Sequence, residues 1–347
     1  MSSGRGARAA VGMDPARAPC YSGSLCGVCG AVLGDKTKGI AVDSIYADRH
    51  GRAMTRQEVH RLPAEALSER SGIAVRILPD REALYEAIAE VMLETVEANN
   101  RRGAKTSMIL PVGPVGQYPA FARKATERRL DCRNLWTFNM DEFLDRNGRT
   151  VPEEHPMSFR GEMMRGFYGR LPAARRMPLG QMFFPRHDNM DAIDRALDEH
   201  APDGVDLCLA GVGPEGHFAF NEDPCFRHVQ VSEEEFLADR TRLVLVNTST
   251  VDMDALVASC GDRSAVPPFA VTLGPHDILR ARRTEVIFFA GRFQRFALRE
   301  VLFRKPTMHF PGTLLKLRKE SDGRLTPQNL RVWATPEEAD IVTTQTI

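Results

Sequence analysis

Short apolar runs alternate along this chain with longer segments whose apolar positions recur every three or four residues. Ile73 to Leu78 is strand-like, and Asp80 is placed to cap a helix over residues 81–99, where Leu84, Ile88, Val91, Met92 and Val96 recur at helical spacing. Ser107 to Pro111 predicts the next strand, turned by glycines into a helix over residues 118–129. Leu135 to Phe143 reads as a third strand. Helices are predicted over residues 158–171 and 190–200, separated by a polar loop holding Pro185, His187 and Asp188. Val205 to Ala210 is almost wholly apolar, the texture of a strand covered on both faces. Further strands are expected at residues 241–246, 268–273, 284–290 and 330–334, with a helix over 292–303. Strands separated by helices predict an α/β fold, a largely parallel sheet with helices on both faces.

The first 60 residues, rich in Gly, Ala, Arg and Ser, show no sustained period. They are expected to form a poorly ordered extension, leaving residues 61–347 as one α/β domain. In the full chain 43% hydrophobic and 27% charged residues are ordinary globular values. The 46 basic residues balance the 46 acidic ones, so no net field favours nucleic acid or an anionic membrane. A small molecule is the expected partner, with a homo-oligomer left open. No membrane span or signal peptide is legible, and seven scattered cysteines suit a reducing compartment; the expected location is cytoplasmic. Cys26-Gly-Val-Cys29, with Cys20 nearby, lacks the second pair that a zinc finger needs, so no metal is expected.

Candidate chemistry gathers where strands end. After the strand at 205–210, Gly211, Gly213 and Gly216 break the run, and Glu215, His217 and Glu222 follow. Two carboxylates beside one imidazole can set its tautomer and pKa, although a histidine between apolar residues can equally be structural. The loop Val112-Gly-Pro-Val-Gly-Gln117 joins a strand to a helix N-terminus, a corner suited to phosphate; a turn without ligand is the other reading. Its spacing is neither that of a Walker loop nor that of a dinucleotide fingerprint, so neither ATP nor NAD is expected. Asp141 and Glu142 close the strand at 135–143, and alternation sends only one of them toward a cleft. Ligands of open α/β sheets collect beyond the strand carboxyl ends, so one crevice can hold all these groups.

Phe138-Asn-Met-Asp-Glu-Phe143, Glu154-His-Pro156 with Ser158, Gly211-Val-Gly213, Gly216-His217-x-Ala219-Phe-Asn-Glu222 and Ala270-Val-Thr-Leu-Gly274 resemble, in order and spacing, the glucosamine-6-phosphate deaminase/isomerase family, which is related in fold to 6-phosphogluconolactonases. The resemblance covers roughly residues 75–340 and implies a modified Rossmann-like three-layer fold. It implies an amino-sugar phosphate isomerase/deaminase that releases ammonia by acid/base catalysis, with no cofactor and no metal. Asp141 would move the proton between C2 and C1, His217 would assist ring opening, and Glu222 and Glu215 would orient the imidazole. Glu142 would face away or brace the loop. Gly113, Val115, Gly116 and Gly213 would contact the sugar phosphate. The chain departs from the family at Pro214-Glu215, where Asp is usual before Gly-His, and at the loop 112–116, which lacks the usual flanking hydroxyls. An arginine expected within Val251–Arg263 and a lysine expected after Ala290 have no clean match, which leaves Arg295 or Arg292 as the candidate phosphate contact or as a solvated helix face. Another sugar-phosphate isomerase, a lactonase-like hydrolase and a non-catalytic sugar-phosphate-binding protein are the alternatives.

Overall fold

A computed structural model describes residues 44–227 and 230–343. Cys20, Cys26 and Cys29 lie outside the described residues. In chain order the strands are β1 (Tyr46–Ala47), β2 (Ala53–Met54), β3 (Ala74–Ile77), β4 (Thr106–Leu110), β5 (Leu135–Asn139), β6 (Asp141–Leu144), β7 (Met182–Phe183), β8 (Leu207–Gly211), β9 (Arg242–Leu245), β10 (Phe269–Thr272), β11 (Thr284–Ile287), β12 (Leu317–Lys319), β13 (Leu325–Pro327) and β14 (Leu330–Ala334). The helices are α1 (Arg56–His60), α2 (Ala66–Ser71), α3 (Arg81–Arg101), α4 (Gln117–Glu127), α5 (Phe159–Gly166), α6 (Met190–His200), α7 (Glu233–Ala238), α8 (Thr248–Ala258), α9 (Pro275–Ile278), α10 (Arg295–Phe303) and α11 (Pro336–Ala339). No helix among the described residues is long and apolar enough to cross a membrane.

Seven strands pair in the order β3-β14-β11-β8-β4-β5-β7, every pair parallel, so β8 is the central strand. Successive side chains on these strands enter different cores. Met108, Leu110, Leu207, Leu209 and Ile287 pack with Leu84, Ile88 and Met92 of α3 and Phe121 of α4. Ile109, Cys208, Ala210, Val286 and Val332 pack with Ile193 and Leu197 of α6 and Leu298 and Val301 of α10. That two-sided burial is why the strands read as continuous apolar runs rather than alternating ones. Asp80 caps α3 as expected, its carboxylate accepting from the Ala83 N–H at 2.8 Å.

Three expectations are corrected. The run Leu135–Phe143 is two strands in different sheets: β5 belongs to the parallel sheet, whereas β6 pairs antiparallel with β10, which pairs antiparallel with β9. Met140 is the joint, its N–H donating to Leu110 O in the large sheet while its carbonyl accepts from Leu273 N beside the small one. The expected strands near 241–246 and 268–273 therefore exist but form this second sheet, over a separate core of Phe143, Phe220, Val244, Ala255 and Ala270. Residues 44–60, assigned from composition to the extension, are structured. Tyr46, Met54 and Val59 are buried in the main core, and the Tyr46 hydroxyl donates to Glu300 Oε1 at 2.7 Å.

Candidate active site

From β4 the chain steps outward through β5 to β7; from β8 it steps the other way through β11 to β14. The direction reverses between β4 and β8, the switch point at which open α/β sheets leave a crevice. Both glycine loops end there and touch. A Cβ on Gly211 would come within 2.5 Å of Gly113 O. The loop holding Gly113, Val115 and Gly116 leads into α4, whose first turn has no side-chain cap. Gly116 is required for space, since a Cβ would fall 2.0 Å from the Tyr85 ring. Gln117, wholly buried at the start of α4, donates through Nε2 to Pro114 O at 2.9 Å, and its Oε1 has no partner.

The second loop holds the imidazole. His217 lies on the backbone of Gly213, where a Cβ would come 2.3 Å from the ring, so only glycine leaves the imidazole its place. The Gly213 N–H donates to His217 O at 2.9 Å, and His217 Nδ1 lies 2.8 Å from Glu215 Oε1. Burial pulls the imidazole toward neutrality, but the hydrogen bond and charge of Glu215, with Glu222 and Asp254 behind, prevail and lift its pKa to about 9. Burial acts on Glu215 in the opposite sense, and the charge of His217 overcomes it, holding the carboxyl at about 2. Beyond them Glu222, 3% exposed, accepts from Asn247 N at 3.1 and 3.0 Å. The Thr250 hydroxyl stands between the two acids, 2.8 Å from Glu215 Oε1 and 2.7 Å from Glu222 Oε1. It has one proton and serves one carboxylate at a time.

Asp141, 6% exposed, is the first residue of β6, directly after the joint at Met140. Burial and the Glu142 charge push its carboxyl well above the usual range, opposed by the positive charge of His217. Glu142 points elsewhere. Its carboxylate accepts from the N–H groups of Phe143, Phe159 and Arg160 and from the Ser158 hydroxyl, at 2.8–3.1 Å, and so fastens the N-terminus of α5.

Asp141, Glu215, His217 and Glu222 are thus brought to one place, beside Gly213. Arg295 is not, which corrects its candidacy for phosphate: Nε donates to Glu337 O at 2.8 Å and Nη1 pairs with Asp340 at 2.9 Å, so it fastens the C-terminal segment. Arg292 is exposed, its guanidinium over the Phe293 ring. Three groups escaped the sequence reading. Asp254, whose carboxyl burial raises to about 6, acts electrostatically on both His217 and Asp141. Thr250 and Asp254 share one face of α8 at i, i+4, a signal open only once that segment is recognised as a helix. Gln294 ties the strand ends together, its Oε1 accepting from Phe289 N and Ala290 N and its Nε2 donating to Val212 O, each at 2.7 Å. Donor atoms of Glu215, His217 and Glu222 lie within 4.8 Å of one another, close enough to chelate a cation, yet each already has a protein partner.

Comparison with known proteins agrees with this architecture. Residues 79–235 match the family described as glucosamine-6-phosphate isomerases/6-phosphogluconolactonase. A glucosamine-6-phosphate deaminase of Porphyromonas gingivalis is 29% identical over 255 residues, 71% of this chain and 88% of that protein. The Homo sapiens glucosamine-6-phosphate deaminase 2 is 30% identical over 198 residues, 54% of this chain and 63% of its own length. Among solved structures, a monomeric glucosamine-6-phosphate deaminase superposes with a TM-score of 0.62 at 21% identity, covering 77% of this chain and 99% of that one. A 6-phosphogluconolactonase from Thermotoga maritima gives 0.52 at 16%, covering 76% and 98%. Over residues 79–235 the chain is similar to the glucosamine-6-phosphate isomerase/6-phosphogluconolactonase family.

Proposed function

We propose that the chain is an amino-sugar phosphate isomerase/deaminase. The observation that carries this reading is a buried Asp141, its carboxyl pushed above the usual range, under the charge of a His217 held positive by Glu215. An aldose amino sugar must open its ring, lose the C2 proton, gain one at C1, and add water as ammonia departs. Each step moves protons between carbon, oxygen and nitrogen, which is the work of positioned acid/base groups. His217 exchanges a proton with the ring oxygen as the ring opens. Asp141 then takes the proton from C2 and returns it to C1; a carboxylate with a raised pKa is the stronger base once ionised, and the charge of His217 favours that ionisation. Glu215 and Glu222 are positioning residues, which fix the ring of His217 and stabilise its charged form. The loop holding Gly113, Val115 and Gly116 offers main-chain N–H groups and the start of α4 to the phosphate.

A second reading, a different sugar-phosphate isomerase or a lactonase-like hydrolase, draws on a specific observation. Asp141, Glu215, Glu222 and Asp254 surround His217, and Arg295, the guanidinium expected to hold phosphate, is committed to Glu337 and Asp340. Without that guanidinium the phosphate-holding half of the site differs from the expected one, which is what a different phosphosugar or a sugar acid would require.

Ammonia release is measured with purified protein on glucosamine 6-phosphate and galactosamine 6-phosphate, with Asp141→Asn as control. The expected result is ammonia from at least one sugar and a loss of roughly two orders of magnitude or more in kcat for Asp141→Asn. Release from neither sugar rejects deamination, and an unimpaired Asp141→Asn rejects Asp141 as the base.

A further inference from the structure

Directly after Glu222 the chain places a second constellation whose groups the proton chemistry does not use. Asp223 Oδ1, Cys225 Sγ and His309 Nδ1 lie within 4.8 Å of one another. His309 Nδ1 is 3.0 Å from Asp223 Oδ1 and 3.4 Å from Cys225 Sγ. The same ring nitrogen meets both partners. That geometry is wrong for a nucleophile triad, in which the imidazole takes a proton on one nitrogen while the carboxylate holds the other. Asp223 Oδ1 also accepts from the Cys225 N–H at 2.9 Å, which draws the carboxylate, the sulfur and the ring nitrogen to one point. A cation at the centre of the three would meet one ligand atom from each.

We propose that Asp223, Cys225 and His309 form a binding site for a divalent transition metal, with zinc as the best match. Bond lengths of about 2.3 Å to sulfur and about 2.0–2.1 Å to nitrogen or oxygen put the edges of a zinc tetrahedron at roughly 3.3–3.6 Å. The observed 3.0 and 3.4 Å need shifts of only a few tenths of an ångström. Thiolate, neutral imidazole and carboxylate select a borderline-soft ion over calcium or magnesium, and their two negative charges neutralise it. Cys225 and His309 also line a cavity of about 350 Å³ with Gln230, Val231, Ser232 and Met308, from which water or a small ligand would complete the coordination.

The ligands come from two segments 84 residues apart in sequence, so the metal fastens them together. One continues from Glu222. The other runs into Phe310, whose ring covers Gly216, and Gly312, whose N–H donates to Gly216 O at 2.6 Å. The metal therefore braces the loop that carries His217 without entering the proton chemistry.

Full-length protein stripped with a chelator is titrated with Co(II) and then Zn(II), in the wild type and in Cys26→Ser/Cys29→Ser, which removes the competing thiol pair. The expected result is that Cys26→Ser/Cys29→Ser binds one equivalent with thiolate-to-cobalt charge-transfer absorption that zinc displaces. Adding Cys225→Ser abolishes that band, and adding His309→Ala instead weakens binding by more than the roughly 10–100-fold that loss of an outer partner costs. Circular dichroism of each variant establishes that it is folded. A Cys26→Ser/Cys29→Ser protein without a saturable band, or one that keeps the band when Cys225→Ser is added, overturns the proposal.

Discussion

His217 and Glu215 hold each other in their charged forms, and the consequences for pH run in opposite directions. The imidazole is raised from 6.5 to about 9, so the folded chain binds its proton more tightly than the unfolded one. Its contribution to stability is complete below pH 6.5 and is lost as pH rises through about 9. Glu215 is lowered from 4.5 to about 2, so its contribution is complete above pH 4.5 and is lost as pH falls through about 2. Both are complete between those limits. An NMR titration of the His217 ring is expected to show a midpoint near 9 in the wild type and a lower one in Glu215→Gln. Equal midpoints would sink the assignment of Glu215 as the group that charges the imidazole. At this scale the sequence was informative, because Glu215, His217 and Glu222 are neighbours in the chain and two acids beside an imidazole carry their chemistry openly. Asp254 was hidden by distance, and Arg295 misled because nothing in its vicinity announces that Asp340 will claim it.

At the scale of elements the strand and helix order was legible, while the partner of each strand was not. No glycine or proline interrupts Leu135–Phe143, and Asn139, Met140 and Asp141 are all buried, so nothing in the run marks the change of sheet. Helix α8 escaped notice for the opposite reason: Leu256 and Val257 are each 68% exposed, while Thr250 and Ala255 face inward, so its apolar side chains mark the outer face. Glu142 shows what an element needs to hold its place. Removing the carboxylate in Glu142→Ala leaves three main-chain N–H groups and one hydroxyl without their acceptor. Each unsatisfied buried donor costs about 1–3 kcal/mol, so urea denaturation is expected to show a loss of roughly 3 kcal/mol or more. A change below about 1 kcal/mol would mean that water satisfies α5 without Glu142.

For the whole molecule, the segment over residues 44–60 matters more than its composition suggested. The Ala-, Gly- and Arg-rich texture of the preceding residues hides three buried side chains, spaced too irregularly for a period to appear. They reach the core through long-range contacts: Tyr46 to Glu300 on α10, and His60, whose carbonyl accepts from Val342 N at 3.0 Å. A chain beginning at Arg61 exposes the surfaces that Tyr46, Met54 and Val59 cover. At roughly 1.5–3 kcal/mol per buried apolar side chain it is expected to be several kcal/mol less stable than a chain beginning at Ser44. Equal melting temperatures for the two would show that the segment is dispensable.

The short strand β10 works as a gauge block between Asp141 and His217, the two groups proposed to handle protons. Asp141 stands opposite Thr272 in its register, and the His217 loop is fixed to the same residues, with Phe220 N donating to Thr272 Oγ1 at 3.1 Å and Asn221 Nδ2 to Leu273 O at 2.9 Å. The placement of Asp141 relative to the His217 loop is therefore set at β10 and the residue after it rather than across the large sheet. Outer helices and sheet edges can drift in sequence without moving one group relative to the other.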